Sequence, residues 1–535
     1  MFNLLENGLL VESRTTRLEF SGIRLVSMQD GVTGEEFLDR ASAQQVPGFQ
    51  LLHQNGRMDS LGVHPLVSKV FYNILTDTIA EIILEDWETD ISVRVSIDED
   101  SGDILLEPST WTMQGGIAGL GMNIAGIRQD LDLVAPFQQG FKGPLSHPQV
   151  QGKRATWPDM WEAAAVAFSA GDSGFSIQAW DNHYIFKGIY IGLPDCPQAV
   201  SLLTFARGPQ EMNRCTGNLC WRISTFQGSW HVPFLRFRDW YWGAYPLEKA
   251  VNLRPEWLDQ IALAVSWCST NLELLDALAS KIDPGKVFLH LPHWRPFKYD
   301  QDYPAYIPSA QGEAFIRKAR QLGYHVAPHI NHCEMSPDHP LFFSARDFCT
   351  RTPTDLRWGG WSWLPVPGWR NFGPPQSYST MPAPASKDWN VLVNVHLAWS
   401  PWRRHLTREV AALINSVGID SIFVDVVHWV HNSDNATLEN LSYAEGSLKL
   451  AREMAELAPR FCVCGEGRNE ISSQYISIVQ FHLYNYAHSL TMAGEDVSWV
   501  KEVTVPVSEL IFKGLSRGTG YHYGQGELRR LFIDA

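Results

Sequence analysis

Apolar and polar residues alternate with a period of two through much of residues 1–245, in short runs separated by Gly, Asp and Asn. This alternation is typical of strands with one buried face. The stretches TRLEFSGIRLVSMQD and ISVRVSIDEDSGDILLEPS each predict a hairpin, and GFSIQAWDNHYIFKGIYIG predicts a third that turns at WDNH. We interpret LGMNIAGI as a loop. Because long helical periodicity is scarce, we predict an N-terminal β-sandwich domain over residues 1–245.

The pattern changes after residue 245, where helix-like runs alternate with short apolar strands. Helices are predicted in PEWLDQIALAVSWC, NLELLDALASKI, SAQGEAFIRKARQLG, SPWRRHLTREVAALINSVG and LSYAEGSLKLAREMAELAP. Strands are predicted in VFLHL, HVAPHIN, SIFVD and FCVCGE. Such alternation favours a parallel sheet with crossover helices. We therefore predict an α/β domain over residues 246–535, a (β/α)8 TIM barrel whose last units are irregular, with a doubly wound sheet as the alternative.

A segment rich in Trp, Pro and Gly interrupts this alternation at about residues 343–390. It is too long for an ordinary connection between a strand and a helix. Four Trp fall between residues 358 and 369, which favours an ordered loop. Since it follows a strand, we expect it at the C-terminal face of the barrel, where barrels hold their active sites.

Polar side chains follow each predicted barrel strand. They are His293 and Trp294, Asn331 and His332, Asp425 and His428, and Glu466 and Arg468. Catalytic groups of barrels sit at these strand ends because the loops converge there. A carboxylate at the end of each of two successive strands is what glycoside cleavage requires. Asp425 and Glu466 are therefore the candidate catalytic residues, on neighbouring strands.

Composition narrows the function classes. The formal net charge is −15, with 43 Lys and Arg against 58 Asp and Glu, which argues against a nucleic-acid partner. The N-terminal residues lack a basic segment followed by an apolar one, and no run of about 18 apolar residues occurs. We expect a cytoplasmic protein without membrane association. The eight Cys do not form a small disulfide framework.

The 21 Trp residues support sugar handling. Carbohydrates present apolar C–H faces that stack on aromatic rings, while their hydroxyls bond to polar groups. Trp294, Trp361 and Trp429 lie near predicted strand ends or in the long loop, so we predict that they form stacking walls. The expected partner is a carbohydrate substrate, and no cofactor is expected.

At these residues the sequence resembles the α-amylase-type barrels of glycoside hydrolase family 13. The stretch GYHVAPHINHCEMSPDHPLF has the shape of that family's third strand, with Asn331 and His332 at its end. The resemblance implies that Asp425 on the fourth strand is the nucleophile and Glu466 on the fifth is the acid/base. The N-terminal half resembles the mutarotase-like sandwich domains of several α-glycosidase families.

Two departures make this chain a distant relative of family 13. That family has an Arg two residues before the nucleophile, where this chain has Phe423. The His-Asp pair expected near the seventh strand has no counterpart in the residues after Glu466. The amylase contact to substrate is therefore not reproduced.

The resulting hypothesis is a retaining glycosidase whose anomeric preference, α, is implied by the resemblance alone. Asp425 attacks the anomeric carbon, and Glu466 protonates the leaving oxygen, with the two carboxyls about 5 to 5.5 Å apart. Asn331, His332, His428 and His293 would bind sugar hydroxyls. Arg468 would hold Glu466 or a substrate oxygen.

Two alternatives stay open. One is a metal-dependent hydrolase on the same barrel, with ligands drawn from the strand-end histidines His290, His293, His325, His329, His332, His428 and His431. The other is a non-catalytic carbohydrate-binding protein with a decayed barrel. The sugar, the linkage, endo or exo action and the oligomeric state are not set by the sequence.

Overall fold

The structure is a computed structural model that describes residues 1–62, 68–351, 353, 356, 358–362, 380–381, 391–481 and 499–520. The chain divides into two compact units. The first unit comprises Met1–Ala244 and Ser498–Ile511, and the second comprises Tyr245–Val497 and Phe512–Ala535.

Two largely antiparallel sheets build the first unit. Its strands are β1 Phe2–Leu5, β2 Gly8–Glu12, β3 Thr16–Ser21, β4 Arg24–Asp30, β5 Phe49–His53, β6 Met58–Leu61, β7 Lys69–Thr76, β8 Ile79–Asp86, β9 Thr89–Ile97, β10 Ile104–Thr112, β11 Ile117–Ala125, β12 Asp132–Ala135, β13 Phe141–Pro144, β14 Lys153–Thr156, β15 Ala165–Ala170, β16 Ser173–Gln178, β17 Lys187–Leu193, β18 Cys196–Phe205, β19 Cys215–Gly217 and β20 Trp221–Gln227. One sheet runs β1-β2-β3-β4-β11-β18-β17-β14, with β5 on β11 and β6 on β5. The other runs β13-β12-β15-β16-β20-β10-β9-β8-β7, with β19 on β10. Two helices accompany them, α1 Arg40–Ala43 and α2 His231–Ala244.

Contacts between the two sheets join the first unit. The backbone N–H of Thr225 in β20 donates to the Thr16 hydroxyl of β3 at 3.0 Å. The Phe37 ring, which follows β4, lies 5.8 Å from the Phe175 ring of β16 between centroids. The alternating burial along β8, β9 and β10 fits strands that present one face to this core.

The pairing of the predicted hairpins is partly as expected. The hairpins β3–β4 and β9–β10 are confirmed. The third predicted hairpin is wrong, because β16 and β17 belong to different sheets. The connection between them buries an ion pair in which the Lys187 ammonium lies 2.9 Å from the Asp181 carboxylate. The period-two pattern continues across this crossing, so it cannot show that the partner sheet has changed.

The stretch interpreted as a loop is instead β11, which is buried along its whole length. It pairs with both β5 and β18. A Cβ added at Gly121 would lie 2.6 Å from the Ser201 hydroxyl oxygen, so glycine here permits close approach of the neighbouring strand. Glycine signals both turns and tight packing, which is why the interpretation failed.

The second unit contains a parallel, barrel-like sheet and smaller antiparallel ones. Its strands are β21 Leu263–Val265, β22 Val287–Leu291, β23 His325–Asn331, β24 Glu334–Met335, β25 Trp358–Ser362, β26 Thr380–Met381, β27 Val391–Asn394, β28 Ser421–Asp425, β29 Thr437–Leu438, β30 Leu441–Ser442, β31 Cys462–Glu466, β32 Ile478–Phe481 and β33 Arg517–Gly520. Its helices are α3 Leu247–Asn252, α4 Leu272–Ala279, α5 Ala310–Leu322, α6 Phe342–Ala345, α7 Ser400–Val417 and α8 Tyr443–Ala455, and two short helices elsewhere are Val500–Val503 and Val507–Phe512. The 3-10 turns are Glu256–Gln260, Pro284–Lys286, Arg346–Phe348 and Ser472–Gln474.

Seven parallel strands of this sheet lie within the described residues, in the order β21-β22-β23-β28-β31-β32-β33. Side chains from five of them meet in one apolar cluster: Phe288, Ala327, Phe423, Cys462, Cys464 and Ile478, joined by Leu258. The two edges of the sheet approach each other, since the Arg517 guanidinium of β33 donates to the Leu258 carbonyl at 2.7 Å. The parallel barrel-like arrangement is confirmed, and an eighth strand stays a prediction.

Helix ends follow the predicted signals. Gly323 and Gly418 have φ of 98° and 72° directly after α5 and α7, as expected for glycine caps. The predicted helix PEWLDQIALAVSWC is wrong, because it forms a 3-10 turn, Glu256–Gln260, and then β21. Its apolar run is short, and periodicity alone does not separate a buried strand from a helix at that length.

The Trp-rich segment predicted as a loop contains strands where it is described. β24, β25, β26 and β27 form one four-stranded sheet. Trp361 lies in β25. Most of the remaining residues between 363 and 390 lie outside the described residues, including Trp363 and Trp369.

Residues 498–511 belong to the first unit, although we assigned them to the barrel domain from the sequence. Their backbone bonds to the β13 region, for example from Ser508 N–H to the Gln139 carbonyl at 2.9 Å. Long-range pairing of this kind leaves no local pattern in the sequence. No helix within the described residues is long and apolar enough to cross a membrane.

Candidate active site

Two carboxyl groups meet at the C-terminal ends of adjacent parallel strands. Asp425 ends β28 and Glu466 ends β31, and these strands pair in parallel. Asp425 is 8% exposed. Its carboxylate accepts a hydrogen bond from the Glu466 carboxyl, which also accepts one from the Val426 backbone N–H at 3.3 Å. The structure thus places the two predicted acids together.

The pKa of Glu466 is raised well above its usual range. Burial is the largest cause, followed by the negative charge of Asp425 and the hydrogen bond to it. A protonated Glu466 beside an ionised Asp425 is the charge arrangement that an acid and a nucleophile need. The predicted separation of about 5 to 5.5 Å between the two carboxyls stays a prediction.

Two further side chains approach the Asp425 carboxylate. The Tyr299 hydroxyl donates to Oδ2 at 3.4 Å, and Nε2 of His329 lies 3.4 Å from the same oxygen. Burial, followed by the charge of Asp425, raises the pKa of Tyr299 well above its usual range. Tyr299 therefore keeps its proton and acts as a donor.

A second acidic pair lies close to the first. Glu334 is 2% exposed and Asp300 is 4% exposed. Burial raises the pKa of Glu334 well above its usual range, with further contributions from the charges of Asp300 and Asp425. This raised pKa favours the protonated form of Glu334, in which the carboxyl can donate a hydrogen bond.

Asn331 does not serve the role predicted for it. Its side-chain oxygen accepts from the backbone N–H groups of Cys333 and Glu334, and its amide donates to the Glu334 carboxyl at 2.7 Å. These bonds hold the turn after β23. The prediction that Asn331 binds sugar hydroxyls is corrected accordingly, since it is fully buried and engaged within the protein.

Two of the three histidines predicted to bind sugar, His332 and His428, flank the carboxyl pair. His332 donates from Nδ1 to the Asp425 carbonyl at 3.1 Å, and burial lowers its pKa to about 3. His428 donates from Nδ1 to the Glu466 carbonyl at 2.6 Å. Both bonds tie ring orientation to the strand ends that carry the acids. His332 Nε2 has no hydrogen-bond partner among the described residues.

Trp294 is a core residue, not a stacking wall. It is fully buried, and its indole N–H donates to the His329 carbonyl at 2.9 Å. An aromatic side chain after a strand end can pack into the protein core or point into the site, and the sequence does not distinguish the two orientations. The prediction for Trp294 is therefore wrong.

Arg468 is also buried, at 1% exposure, with its guanidinium carbon 5.4 Å from the Phe512 ring centroid. His293 is exposed and Trp429 is half-buried. Trp429 stacks edge-on with His428 at 5.8 Å. His293 and Trp429 are thus open to solvent near the strand ends. The Trp361 side chain lies outside the described residues.

Trp267, which we did not select from the sequence, lies at the mouth of this site. It follows β21, has φ of 51°, and is 38% exposed. Its ring lies 5.1 Å from Tyr299 and 5.8 Å from His293. Its position after a strand was a usable signal, but that strand was predicted as a helix. Tyr299 and Asp300 were missed because they lie in a loop some distance beyond β22.

Phe423 occupies the position where family 13 has Arg. Its ring stacks on His290 at 3.9 Å and on His329 at 5.4 Å. A flat apolar ring fits this buried layer of imidazoles. Within the described part of the chain, no group of three or more His, Cys, Asp or Glu is arranged to hold a metal ion.

Solved structures share this fold. The α-N-acetylgalactosaminidase NagBb from Bifidobacterium bifidum, in complex with Gal-NHAc-DNJ, is 12% identical with a TM-score of 0.66, over 96% of this chain and 83% of that chain. The GalNAc complex of the same enzyme is 11% identical with a TM-score of 0.64, over 96% of this chain and 83% of that chain. The GH36 α-galactosidase AgaB from Geobacillus stearothermophilus is 10% identical with a TM-score of 0.46, over 96% of this chain and 78% of that chain. At such identity the likeness to NagBb shows a common fold.

Sequence comparison reaches less far. A family model described as a domain of unknown function, DUF6259, matches residues 219–355. No curated protein sequence matches the chain. The fold of a known glycosidase is thus established, while the closer resemblance to family 13 stays a prediction.

Proposed function

We propose that this protein is a retaining glycoside hydrolase that acts on α-linked glycosides. The observation that carries the proposal is the hydrogen-bonded carboxyl pair at the ends of adjacent strands, in which Asp425 is buried and the half-buried Glu466 has a strongly raised pKa. The shared fold of a glycosidase supports it.

The proposed reaction begins with Asp425 ionised and Glu466 protonated. A sugar entering the site separates the two carboxyls, and Asp425 attacks the anomeric carbon as Glu466 gives its proton to the leaving oxygen. Glu466 then removes a proton from water, which attacks the glycosyl ester on Asp425. Loss of the nearby negative charge in the ester lowers the pKa of Glu466, which suits this second role.

Side chains around the pair suit a sugar. Trp267 offers a partly exposed ring to a C–H face, and His293 and Trp429 are open to the same strand-end region. The Tyr299 hydroxyl supplies a donor, and so does the Glu334 carboxyl in its protonated form. A binding protein with a decayed barrel is less favoured, because it gives no reason for two adjacent, partly desolvated acids that cost folding energy.

A panel of nitrophenyl glycosides tests the proposal. Because NagBb is named as an α-N-acetylgalactosaminidase, the α-N-acetylgalactosaminide and the α-galactoside are tested first. We expect release of nitrophenol from an α-glycoside, and loss of at least about 10³-fold in kcat on Asp425→Asn. A matched control is Asp420→Asn at the opposite end of the same strand region, which we expect to retain activity. No turnover of any glycoside, or turnover that survives Asp425→Asn, would contradict the proposal.

A further inference from the structure

The second sheet of the first unit leaves one face of β8, β9 and β10 open to solvent. Along most of these strands every second residue is exposed or partly exposed, and the residues between them are buried. The same sheet is covered on both faces at β15 and β16, which are buried at nearly every position. The open face of β8–β10 is therefore a surface that a ligand can reach.

Strand register arranges the outward side chains of this face in rows that cross the strands. The middle row comes from β8, β9, β10 and β19 and consists of Ile83, Ser92, Ser109 and Gly217. The two flanking rows are Glu85, Asp90, Trp111 and Cys215 on one side, and Glu81, Arg94 and Glu107 on the other. Because Ser and Gly are shorter than the acids, Arg and Trp beside them, the middle row forms the floor of a groove and the flanking rows form its walls. We call this feature the sheet groove.

The dimensions of the sheet groove follow from sheet geometry. Neighbouring strands lie about 4.8 Å apart, so a floor that crosses four strands is about 14 Å long. Residues two positions apart on a strand are separated by about 7 Å, which places each wall about 7 Å from the floor row. The groove is therefore longer than one pyranose ring, and it suits a chain of several sugars better than a single one.

The floor and walls carry both hydrogen-bond donors and acceptors. The Ser92 hydroxyl donates to the Glu81 carboxylate at 2.7 Å, and the Arg94 guanidinium lies 3.8 Å from the Glu107 carboxylate. Trp111 stands in the opposite wall with 49% of its surface exposed. An exposed indole ring beside polar groups of both kinds matches a sugar, which presents apolar C–H faces and hydroxyls that both donate and accept.

The charges along the sheet groove separate a sugar from other occupants. Charged residues are depleted at the core of protein–protein interfaces, whereas here they form both walls. Acidic side chains outnumber Arg94 in those walls, so the groove repels polyanions such as nucleic acids and acidic polysaccharides. A neutral sugar chain meets neither objection.

We propose that the sheet groove binds a chain of neutral sugars, with Trp111 stacked on one of them. This inference goes beyond the proposed function, because binding in the groove breaks no bond and uses neither Asp425 nor Glu466. It adds to the first unit a carbohydrate site that holds polymeric material without cleaving it.

Affinity electrophoresis of the full chain tests the site, with Asp425→Asn as the parent so that the polymer stays intact. The gels contain galactomannan, soluble starch or xyloglucan as neutral probes, and polygalacturonate as the acidic one. We expect at least one neutral probe to retard the parent, and Trp111→Ala to weaken the apparent affinity at least about tenfold. Ser109→Leu should weaken it as well, because the larger side chain fills the floor. Leu4→Ala, which removes an apolar side chain that is 58% exposed on the other sheet, is the control and should bind like the parent.

Three results would overturn the site. They are no retardation by any neutral probe, retardation by polygalacturonate alone, and equal retardation of the parent, Trp111→Ala and Ser109→Leu. Light scattering after gel filtration adds a fourth, since a dimer of the parent that is lost in Trp111→Ala would assign this face to a second copy of the chain. Thermal midpoints equal to that of the parent show that both groove variants are folded. Because binding is measured without turnover, its outcome is separate from that of the proposed function.

Discussion

Asp425 and Glu466 carry the same functional group in different surroundings, and the difference sets their roles. Asp425 faces a hydroxyl donor and an imidazole, whereas Glu466 is half-buried beside the charge of Asp425. A protonated acid assists a poor leaving group and is not needed for a good one. The effect of removing Glu466 should therefore depend on the leaving group.

We expect Glu466→Ala to lose about 10²- to 10⁴-fold in kcat/KM on a methyl or sugar leaving group, but much less on a dinitrophenyl glycoside. Azide should accelerate the variant on the activated substrate, because an anion attacks the glycosyl ester without a base. Steady-state rates with both substrates measure this. An equal loss on both leaving groups would remove Glu466 from the acid role.

The two tryptophans after the first strands have separable effects. Trp267 is partly exposed at the site, while Trp294 is buried and bonded to a backbone carbonyl. We expect Trp267→Ala to raise KM several-fold with little change in thermal midpoint. Trp294→Phe should cost about 1–3 kcal/mol of stability, because it removes the buried indole hydrogen bond to the His329 carbonyl, with KM unchanged. Kinetics and thermal unfolding of both variants give the comparison.

Glu334 makes stability depend on pH. Its pKa is higher in the folded protein than the ordinary value of 4.5, so the folded state binds its proton more tightly. Its stabilising contribution is complete below about pH 4.5 and is lost as pH rises towards the folded pKa. Glu334→Gln keeps an acceptor for Asn331 and removes this loss.

We therefore expect the free energy of unfolding of Glu334→Gln, relative to the parent, to rise with pH above about 4.5, with a slope of at most about 1.4 kcal/mol per pH unit. Urea unfolding at a series of pH values measures it. Glu313→Gln, at an exposed ion pair with Arg317, is the control and should show no such trend. A parallel trend in both variants would count against the buried assignment.

At the scale of elements, close packing explains one helical glycine. A Cβ on Gly446 in α8 would lie 2.3 Å from the Ala398 backbone nitrogen, in the turn after β27. We expect Gly446→Ala to destabilise the protein by about 1–3 kcal/mol despite the better helix propensity of alanine. Gly243→Ala in α2 has nothing within 4 Å and should be neutral or stabilising. Thermal midpoints of both variants test this, and equal midpoints would show that α8 can move away.

The predictable elements are those with local signals. α5 and α7 have amphipathic periods and glycine stops, and β22, β23, β28 and β31 are short apolar runs that follow a turn or cap. The acid pair could be predicted for the same reason, because each acid ends such a run. Strand β21 could not be recognised, since its three residues have no period of their own.

Side-chain direction at strand ends was the harder part of the site. Trp294 turns into the core and Trp267 turns outward, although both follow barrel strands. The internal bonds of Asn331 depend on Glu334, three residues later, through a turn whose geometry the sequence does not state. Burial and hydrogen bonding decide such cases, and both depend on neighbours distant in the chain.

At the scale of the whole molecule, the division after Ala244 matches a change of period that is visible in the sequence. The return of residues 498–511 to the first unit is not visible there. It depends on backbone pairing with residues near β13, which leaves no residue pattern. The sequence thus predicts an N-terminal β domain and a C-terminal domain of alternating helices and strands. It does not predict that a late segment of the chain returns to the first unit.

The central claim is that Asp425 forms a covalent bond to the sugar. Glu466→Ala turning over a dinitrophenyl glycoside should accumulate the glycosyl ester, because its hydrolysis lacks a base. Peptide mapping by mass spectrometry after an acid quench measures the modified residue directly. The account predicts one glycosyl adduct, on the peptide that contains Asp425, absent from Asp425→Asn. An adduct on another residue, or turnover with inverted product and no adduct, would contradict it.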